Sequence, residues 1–217
     1  MIGVCAGLAM SGKKPFAYTI ATFSLYRPFE MIRNDLCYQN LPVTIVGMGA
    51  GTTYSTLGGT HLSVEDISIA RSIPNMKIIA PCDPLELEHA VNYCCKNNSS
   101  PIYLRIGKTG EKIFTKNSLD KWVFGKIRNI FMGNELCILT YGPIVKLAFQ
   151  IKDGINKKIS IYSAHTLKPF DSLGLKKIMK KYKKIVVIED HSMIGGLSEI
   201  VYSEAFKNNY KGKILSY

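Results

Sequence analysis

The sequence predicts an α/β protein of two domains, each a mainly parallel sheet covered by helices. Short apolar runs alternate with segments of helical periodicity from Pro15 onward, an order typical of parallel sheets with helices on their faces. The runs are nearly continuous in apolar residues, as strands buried on both faces are. The alternation lapses between Lys108 and Phe131. We therefore predict one domain over residues 1–110, a linker over 111–131 and a second domain over 132–217.

Eight apolar runs are predicted to be strands, and six segments with a 3.6-residue period are predicted to be helices. The strands are 16–21, 43–47, 76–81, 102–106, 136–141, 159–163, 185–188 and 213–215. The helices are 27–38, 63–73, 83–96, 143–152, 173–182 and 196–208. An apolar stretch of small residues before Lys13 predicts one further helix, amphipathic or buried.

Two helix starts can be predicted from local side chains. Ser63 and Asp66 have the spacing of a capping box, which predicts that a helix begins at Ser63. Asp83 followed by Pro84 predicts a second start, with an aspartate cap and proline in the first turn. His61 then lies in a loop that enters a helix, directly after the Gly58-Gly59 pair.

Composition excludes several classes of protein. Lysine and arginine number 28 against 16 acidic residues, a net charge of +12, but in LKKIMKKYKK (175–184) the lysines face away from an apolar helical face. That is typical of a solvated surface and not of nucleic-acid binding. No apolar run reaches the roughly 18 residues of a membrane span, and the basic pair follows the first apolar stretch, unlike a secretory signal. We expect a cytoplasmic protein that neither spans nor binds a membrane.

Cysteine spacing and glycine motifs narrow the chemistry further. The six cysteines include no CxxC pair and no zinc-type spacing with histidine, which predicts free thiols in a reducing compartment and no metal site. Neither a GxGxxG fingerprint nor a P-loop is present, which disfavours a generic nucleotide-binding protein.

Candidate site residues follow the predicted strands, where α/β proteins bind ligands. Phe23, Tyr26 and Phe29 follow the first strand and are interpreted either as core or as a stacking surface for a flat ring. His61 follows the second strand; alone, it would be an ordinary loop histidine. Arg105, in an apolar strand, requires either an anion or a buried partner. Together they indicate a site at one edge of the first sheet.

Several motifs carry a resemblance to a known family. LGGTH, ARSIPNMKIIAPCDPLE and PIYLRIGK resemble the pyrimidine-binding domain of the transketolase family. HTLKPFD (165–171) and VIEDHSMIGGLSE (187–199) resemble that family's C-terminal domain. The resemblance implies an enzyme that uses thiamine diphosphate. This chain would bind the pyrimidine ring, and a partner domain or subunit would bind the diphosphate and Mg²⁺.

The resemblance also implies residue roles. Phe23 matches the aromatic residue that stacks on the pyrimidine ring, and Tyr26 and Phe29 would line the same pocket. His61 matches the catalytic histidine that points at the substrate near the thiazolium carbon. Arg105 matches the strand arginine that transketolases use for a sugar phosphate.

The sequence departs from the family pattern at several positions. The glutamate that activates the cofactor would precede Met1, and the C-terminal domain would continue beyond Tyr217, so the resemblance implies a section of a longer subunit. Gly49 and Leu57 stand where ordinary transketolases have a histidine and an aspartate. The usual sugar-phosphate specificity is therefore not implied.

The leading functional hypothesis is a transketolase-like transferase that moves a two-carbon ketol or acyl unit between sugar-like substrates. Its expected partners are sugar-phosphate-like small molecules and a diphosphate-binding domain or subunit, in a homodimer or heterotetramer. The alternatives are the β-type subunit of a 2-oxo acid dehydrogenase, a deoxyxylulose-phosphate-type synthase, and a non-catalytic assembly module. Asp190, His191 and the Gly195-Gly196 pair are interpreted as a tight turn with interface packing and not as a second site.

Overall fold

The computed structural model describes all residues, 1–217, and contains two five-stranded sheets. Each sheet has four parallel strands and one antiparallel strand at an edge. The prediction of an α/β protein with two mainly parallel sheets is confirmed. No helix combines the length and the hydropathy that a membrane crossing requires.

The first sheet has the order β1-β2-β4-β3-β8. Its strands are β1 (Phe16–Ile20), β2 (Thr44–Met48), β3 (Lys77–Ile79), β4 (Ile102–Arg105) and β8 (Thr166–Lys168). The second sheet has the order β10-β9-β6-β7-β5. Its strands are β5 (Arg128–Phe131), β6 (Leu136–Thr140), β7 (Ile159–Ser163), β9 (Lys184–Ile188) and β10 (Lys213–Ser216).

Eight α-helices accompany the sheets. They are α1 (Ile2–Met10), α2 (Ala21–Leu25), α3 (Phe29–Met31), α4 (Asp66–Ser72), α5 (Pro84–Lys96), α6 (Val145–Gly154), α7 (Ser172–Lys181) and α8 (Leu197–Lys207). The helix predicted over 27–38 is instead a short α3 that continues as a π-helix, Ile32–Tyr38. The segment before it, which follows β1, is also helical, as α2.

The antiparallel edge strands were not predicted. β8 comes from the second half of the chain but closes the first sheet, with Ile78 opposite Lys168 and Ile79 opposite Thr166. β5 lies at the end of the predicted linker and pairs with β7. Both strands are short and lack a continuous apolar run, so their pairing depends on contacts that are distant in the sequence.

The largest of three hydrophobic clusters spans both sheets. A single cluster of 33 buried residues includes Ile67 and Tyr103 from the first half of the chain and Leu139 and Tyr182 from the second. Burial of apolar side chains stabilises a fold roughly in proportion to the area removed from water. The shared cluster therefore holds the halves together as well as folding each one.

One of the two predicted helix starts is wrong and the other is confirmed. Helix α4 begins at Asp66, and the Ser63 side chain does not cap it. The Ser63 backbone instead forms an isolated bridge with Gly51, which keeps the chain extended there. Asp83 does cap α5, since its Oδ1 accepts a hydrogen bond from the Glu86 N–H at 2.9 Å and Pro84 occupies the first turn.

Candidate active site

Aromatic rings meet at the carboxyl edge of the first sheet. The chain turns from β1 directly into α2, which places Phe23 just beyond the strand, half-buried. The His61 and Phe23 rings pack in an edge-type arrangement, with 5.3 Å between centroids and 67° between planes. The Tyr54 ring lies 6.3 Å from His61, and the exposed Arg27 guanidinium lies 4.3 Å over Phe23. The structure thus brings together two of the predicted residues, Phe23 and His61.

Local hydrogen bonds orient His61. Gly58, with φ of +76°, turns the loop so that the His61 N–H donates to the Gly58 carbonyl at 3.0 Å. Thr22 Oγ1 in α2 donates to the Thr60 carbonyl at 3.0 Å. Thr60 Oγ1 lies 2.9 Å from His61 Nδ1. This bond occupies Nδ1, so Nε2 is the ring nitrogen that can meet a ligand.

Tyr26 and Phe29 are partly buried and pack against the core. The Tyr26 hydroxyl donates to Glu65 Oε2 at 3.0 Å and lies 3.3 Å from Ser63 Oγ. Burial raises the pKa of Tyr26 well above its ordinary value, so the hydroxyl remains protonated. Tyr26 therefore ties α2 to the start of α4 and supports the loop that carries His61.

Arg105 is not part of this aromatic group. Its side chain is only 2% exposed, and Nε donates to Asp66 Oδ2 at 2.9 Å. Another guanidinium nitrogen donates to the Asp190 carbonyl at 2.8 Å. Burial by itself lowers the pKa of Arg105, but the Asp66 carboxylate and the other acidic neighbours together outweigh it, and the pKa is raised. Of the two interpretations left open by the sequence, an anion or a buried partner, the structure contains the buried partner.

The second half of the chain also packs against the first half in this region. The Asp190 carboxylate accepts hydrogen bonds from the Thr52 N–H at 3.0 and 3.1 Å. His191 Nε2 accepts from the Ile67 N–H at 3.2 Å, and Nδ1 donates to the Ser192 carbonyl at 2.7 Å. These bonds agree with the interpretation of Asp190 and His191 as interface residues.

The Gly195-Gly196 turn does not hold an open anion site. The N–H groups of Leu197 and Ser198, at the start of α8, donate to the Glu189 carboxylate at 2.7 and 2.8 Å. A helix N-terminus attracts anions because its first N–H groups have no partner in the helix. Here a carboxylate of the chain itself already occupies that position.

A cleft of about 540 Å³ lies beside Tyr54, at the carboxyl ends of β2 and β4. Its lining includes Tyr18, Met48, Leu87 and Lys108. The Tyr54 ring fills the space beside Gly49, where an added Cβ would lie 1.9 Å from a ring carbon. Sequence reasoning did not select Tyr54. The available signal was Gly49, a glycine where the family resemblance implies a histidine, with an aromatic residue close behind it.

Two family models match the chain. Residues 1–110 match the transketolase pyrimidine binding domain, and residues 125–215 match the transketolase C-terminal domain. The chain belongs to the transketolase family. The two matches together cover most of this transketolase-like chain.

Individual relatives of this transketolase-like chain support the same assignment. It is 32% identical to an apulose-4-phosphate transketolase subunit of Phocaeicola vulgatus, over 99% of this chain and 69% of that protein. It is 30% identical to 1-deoxy-D-xylulose-5-phosphate synthase of Bacillus cereus, over 98% of this chain and 34% of that protein. Among solved structures, a split-gene transketolase in an inactive β4 tetramer matches with a TM-score of 0.86 and 28% identity, over 99% of this chain and 70% of that one.

Proposed function

We propose that this transketolase-like chain holds the pyrimidine ring of thiamine diphosphate and acts with a diphosphate-binding partner. Together they would transfer a two-carbon ketol or acyl unit between sugar-phosphate-like substrates. The observation that carries the proposal is the half-buried Phe23 ring packed against His61. It lies at the sheet edge where α/β proteins bind ligands.

The residues present fit one part of the cofactor. Phe23 offers a flat aromatic surface that suits a heteroaromatic ring, and Tyr26 and Phe29 are proposed to line the same pocket. We assign the pyrimidine ring to this chain and, following the family resemblance, the diphosphate and Mg²⁺ to the partner. Thiamine diphosphate, when bound, would supply the carbon nucleophile that protein side chains lack.

The histidine of this chain would act on the substrate. With Nδ1 held by Thr60, His61 can present an Nε2–H to a substrate oxygen and stabilise charge that develops there. A fixed ring also places that donor without reorganisation at the moment of reaction.

We propose Arg105 as a positioning residue. Its buried contacts with Asp66 and Asp190 hold the two halves of the chain together beside the His61 loop. The sugar-phosphate role implied by the family resemblance is not part of this proposal, because a side chain that is 2% exposed has no free surface for a substrate.

We propose that substrate specificity differs from that of ordinary transketolases. The Tyr54 ring occupies the space beside Gly49 and borders the 540 Å³ cleft. An aromatic wall at this point favours contact with carbon atoms over contact with a charged group. Assays with ketose phosphates, with pyruvate plus an aldose phosphate, and with branched 2-oxo acids would separate the transketolase, synthase and dehydrogenase alternatives.

The proposal is tested by calorimetric titration of thiamine diphosphate with Mg²⁺. The titration is made on this chain alone and on its mixture with a diphosphate-binding partner, and we expect binding only in the mixture. Phe23→Ala should weaken that binding about tenfold. A matched control, Phe206→Ala, removes a remote ring that is 87% exposed and should leave the affinity unchanged.

An associated, folded mixture that does not bind the cofactor would overturn the cofactor assignment and leave the assembly-module hypothesis.

We further propose that the enzyme is cytoplasmic and assembles as a homodimer or heterotetramer. Light scattering on the chain, with and without its partner, measures the number of subunits.

A further inference from the structure

A second cleft, of about 560 Å³, opens at the amino-terminal edge of the second sheet. Its floor is Ile159 at the start of β7, and Phe131 and Met132 at the end of β5 form one side. The candidate active site lies at the carboxyl edge of the other sheet, so this cleft is separate from it. The volume is within the range of small-molecule sites.

The side chains around the cleft are strongly basic. Four of the nine lining residues are lysines, and none is acidic: Lys152, Lys157, Lys158 and Lys181. Two carboxylates lie close outside the lining. Asp153 pairs with Lys152, and Glu135 accepts a hydrogen bond from the Lys158 backbone N–H at 3.1 Å.

A position at a helix C-terminus explains only two of these four lysines. Lys152 and Lys181 lie in the last turns of α6 and α7, where a cation complements the partial negative charge of a helix C-terminus. Lys157 and Lys158 lie in the loop between α6 and β7 and form no salt bridge. Like charges that converge on one concave surface raise the local concentration of anions.

Buried contacts fix the shape of the cleft. The Gly133 N–H donates to Ser160 Oγ at 2.7 Å, and Ser160 Oγ lies 2.6 Å from the Tyr182 hydroxyl. A Cβ on Gly133 would lie 2.4 Å from the Lys158 carbonyl, so only glycine lets this loop come so close. The Lys152 ammonium lies 4.5 Å over the half-exposed Phe131 ring. The loop lysines therefore extend from a preformed backbone.

We propose that this cleft binds a di- or triphosphate group, a function beyond the transketolase activity. A lysine ammonium binds phosphate as a compact point charge, and several such charges match a ligand with several negative charges better than a monoanion. The group can belong to free pyrophosphate or to the phosphate tail of a nucleotide. In the second case the apolar side formed by Phe131 and Met132 would contact the nucleoside.

Calorimetric titration of the full 217-residue chain with pyrophosphate, ATP and inorganic phosphate tests the proposal. We expect pyrophosphate to bind at least about tenfold more tightly than phosphate, and about fivefold more weakly when salt is raised from about 50 to 200 mM. The double variant Lys157→Gln with Lys158→Gln should weaken pyrophosphate binding about tenfold. The matched control, Lys176→Gln with Lys177→Gln, removes the same charge from exposed positions on α7 outside this cleft.

The arms of the titration also identify the source of the phosphate. If ATP binds more tightly than pyrophosphate and Phe131→Leu removes that difference, the ligand is a nucleotide. Equal affinities for ATP and pyrophosphate support free polyphosphate. Two results would overturn the proposal. One is pyrophosphate binding no tighter than phosphate, and the other is an equal loss in both lysine double variants, which would indicate net charge alone.

Discussion

Asp66→Asn should be one of the most destabilising conservative substitutions in this protein. The Asp66 side chain is fully buried, and its Oδ2 accepts hydrogen bonds from Arg105 Nε at 2.9 Å and from the Tyr103 hydroxyl at 2.7 Å. The amide keeps the shape but removes the charge that offsets a guanidinium only 2% exposed. Removing one partner of such a pair leaves an uncompensated buried charge, at a cost of about 3–5 kcal/mol.

The assay is urea unfolding at pH 7, followed by the fluorescence of Trp122 and by far-ultraviolet circular dichroism. Coincidence of the two transitions checks that unfolding is cooperative across both sheets. The control is Lys207→Gln, which breaks an exposed pair with Glu204 at 3.0 Å and should cost less than about 0.5 kcal/mol.

A double-mutant cycle separates the ion pair from other effects. Arg105→Met in the Asp66→Asn background removes the unpaired positive charge. The double variant should therefore lose at least about 1 kcal/mol less free energy of unfolding than the sum of the two single-variant losses. Additive losses, or a cost below about 1 kcal/mol for Asp66→Asn alone, would refute the view that a buried ion pair holds Arg105.

Two further predictions concern the pH dependence of stability and the backbone. Burial lowers the pKa of His165 from 6.5 to about 4, so between these values the unfolded chain binds a proton that the folded chain does not. The stability contribution is therefore complete above about pH 6.5 and is lost as the pH falls toward 4. His165→Phe should flatten this decline in urea unfolding, and an unchanged slope would contradict the assignment. Gly51→Ala should lower the melting temperature more than Gly58→Ala. Both glycines have positive φ, but only at Gly51 would an added Cβ meet another group, 2.0 Å from the Asp190 carboxylate. Equal losses in melting temperature would show that the backbone φ alone sets the cost of the substitution.

Local patterns in the sequence were sufficient for most of the regular structure. Each of the eight predicted strands has a counterpart, because a run of apolar residues is visible without knowledge of its neighbours. The two edge strands β1 and β10 are only partly buried. The start of α5 was predictable for the same reason. The Asp83 cap and Pro84 act on N–H groups only a few residues away.

The capping box at Ser63 failed because a distant contact competed with a local one. Ser63 pairs with Gly51 through the backbone and with Tyr26 through its hydroxyl, which holds it outside the helix. The sequence pattern showed only the serine and the acid three residues later. Strand β8 escaped prediction in the same way, since its partner β3 is about ninety residues away.

The sequence by itself determined the two-domain α/β class and the family, and it predicted the aromatic and histidine residues of the candidate site. These follow from residue type, local periodicity and short motifs. Only the tertiary structure decided that Phe23 meets His61, that Arg105 is neutralised by Asp66, and that four lysines share one cleft. The physical reason is that these contacts join residues from separate elements, and packing of the shared core sets their distances.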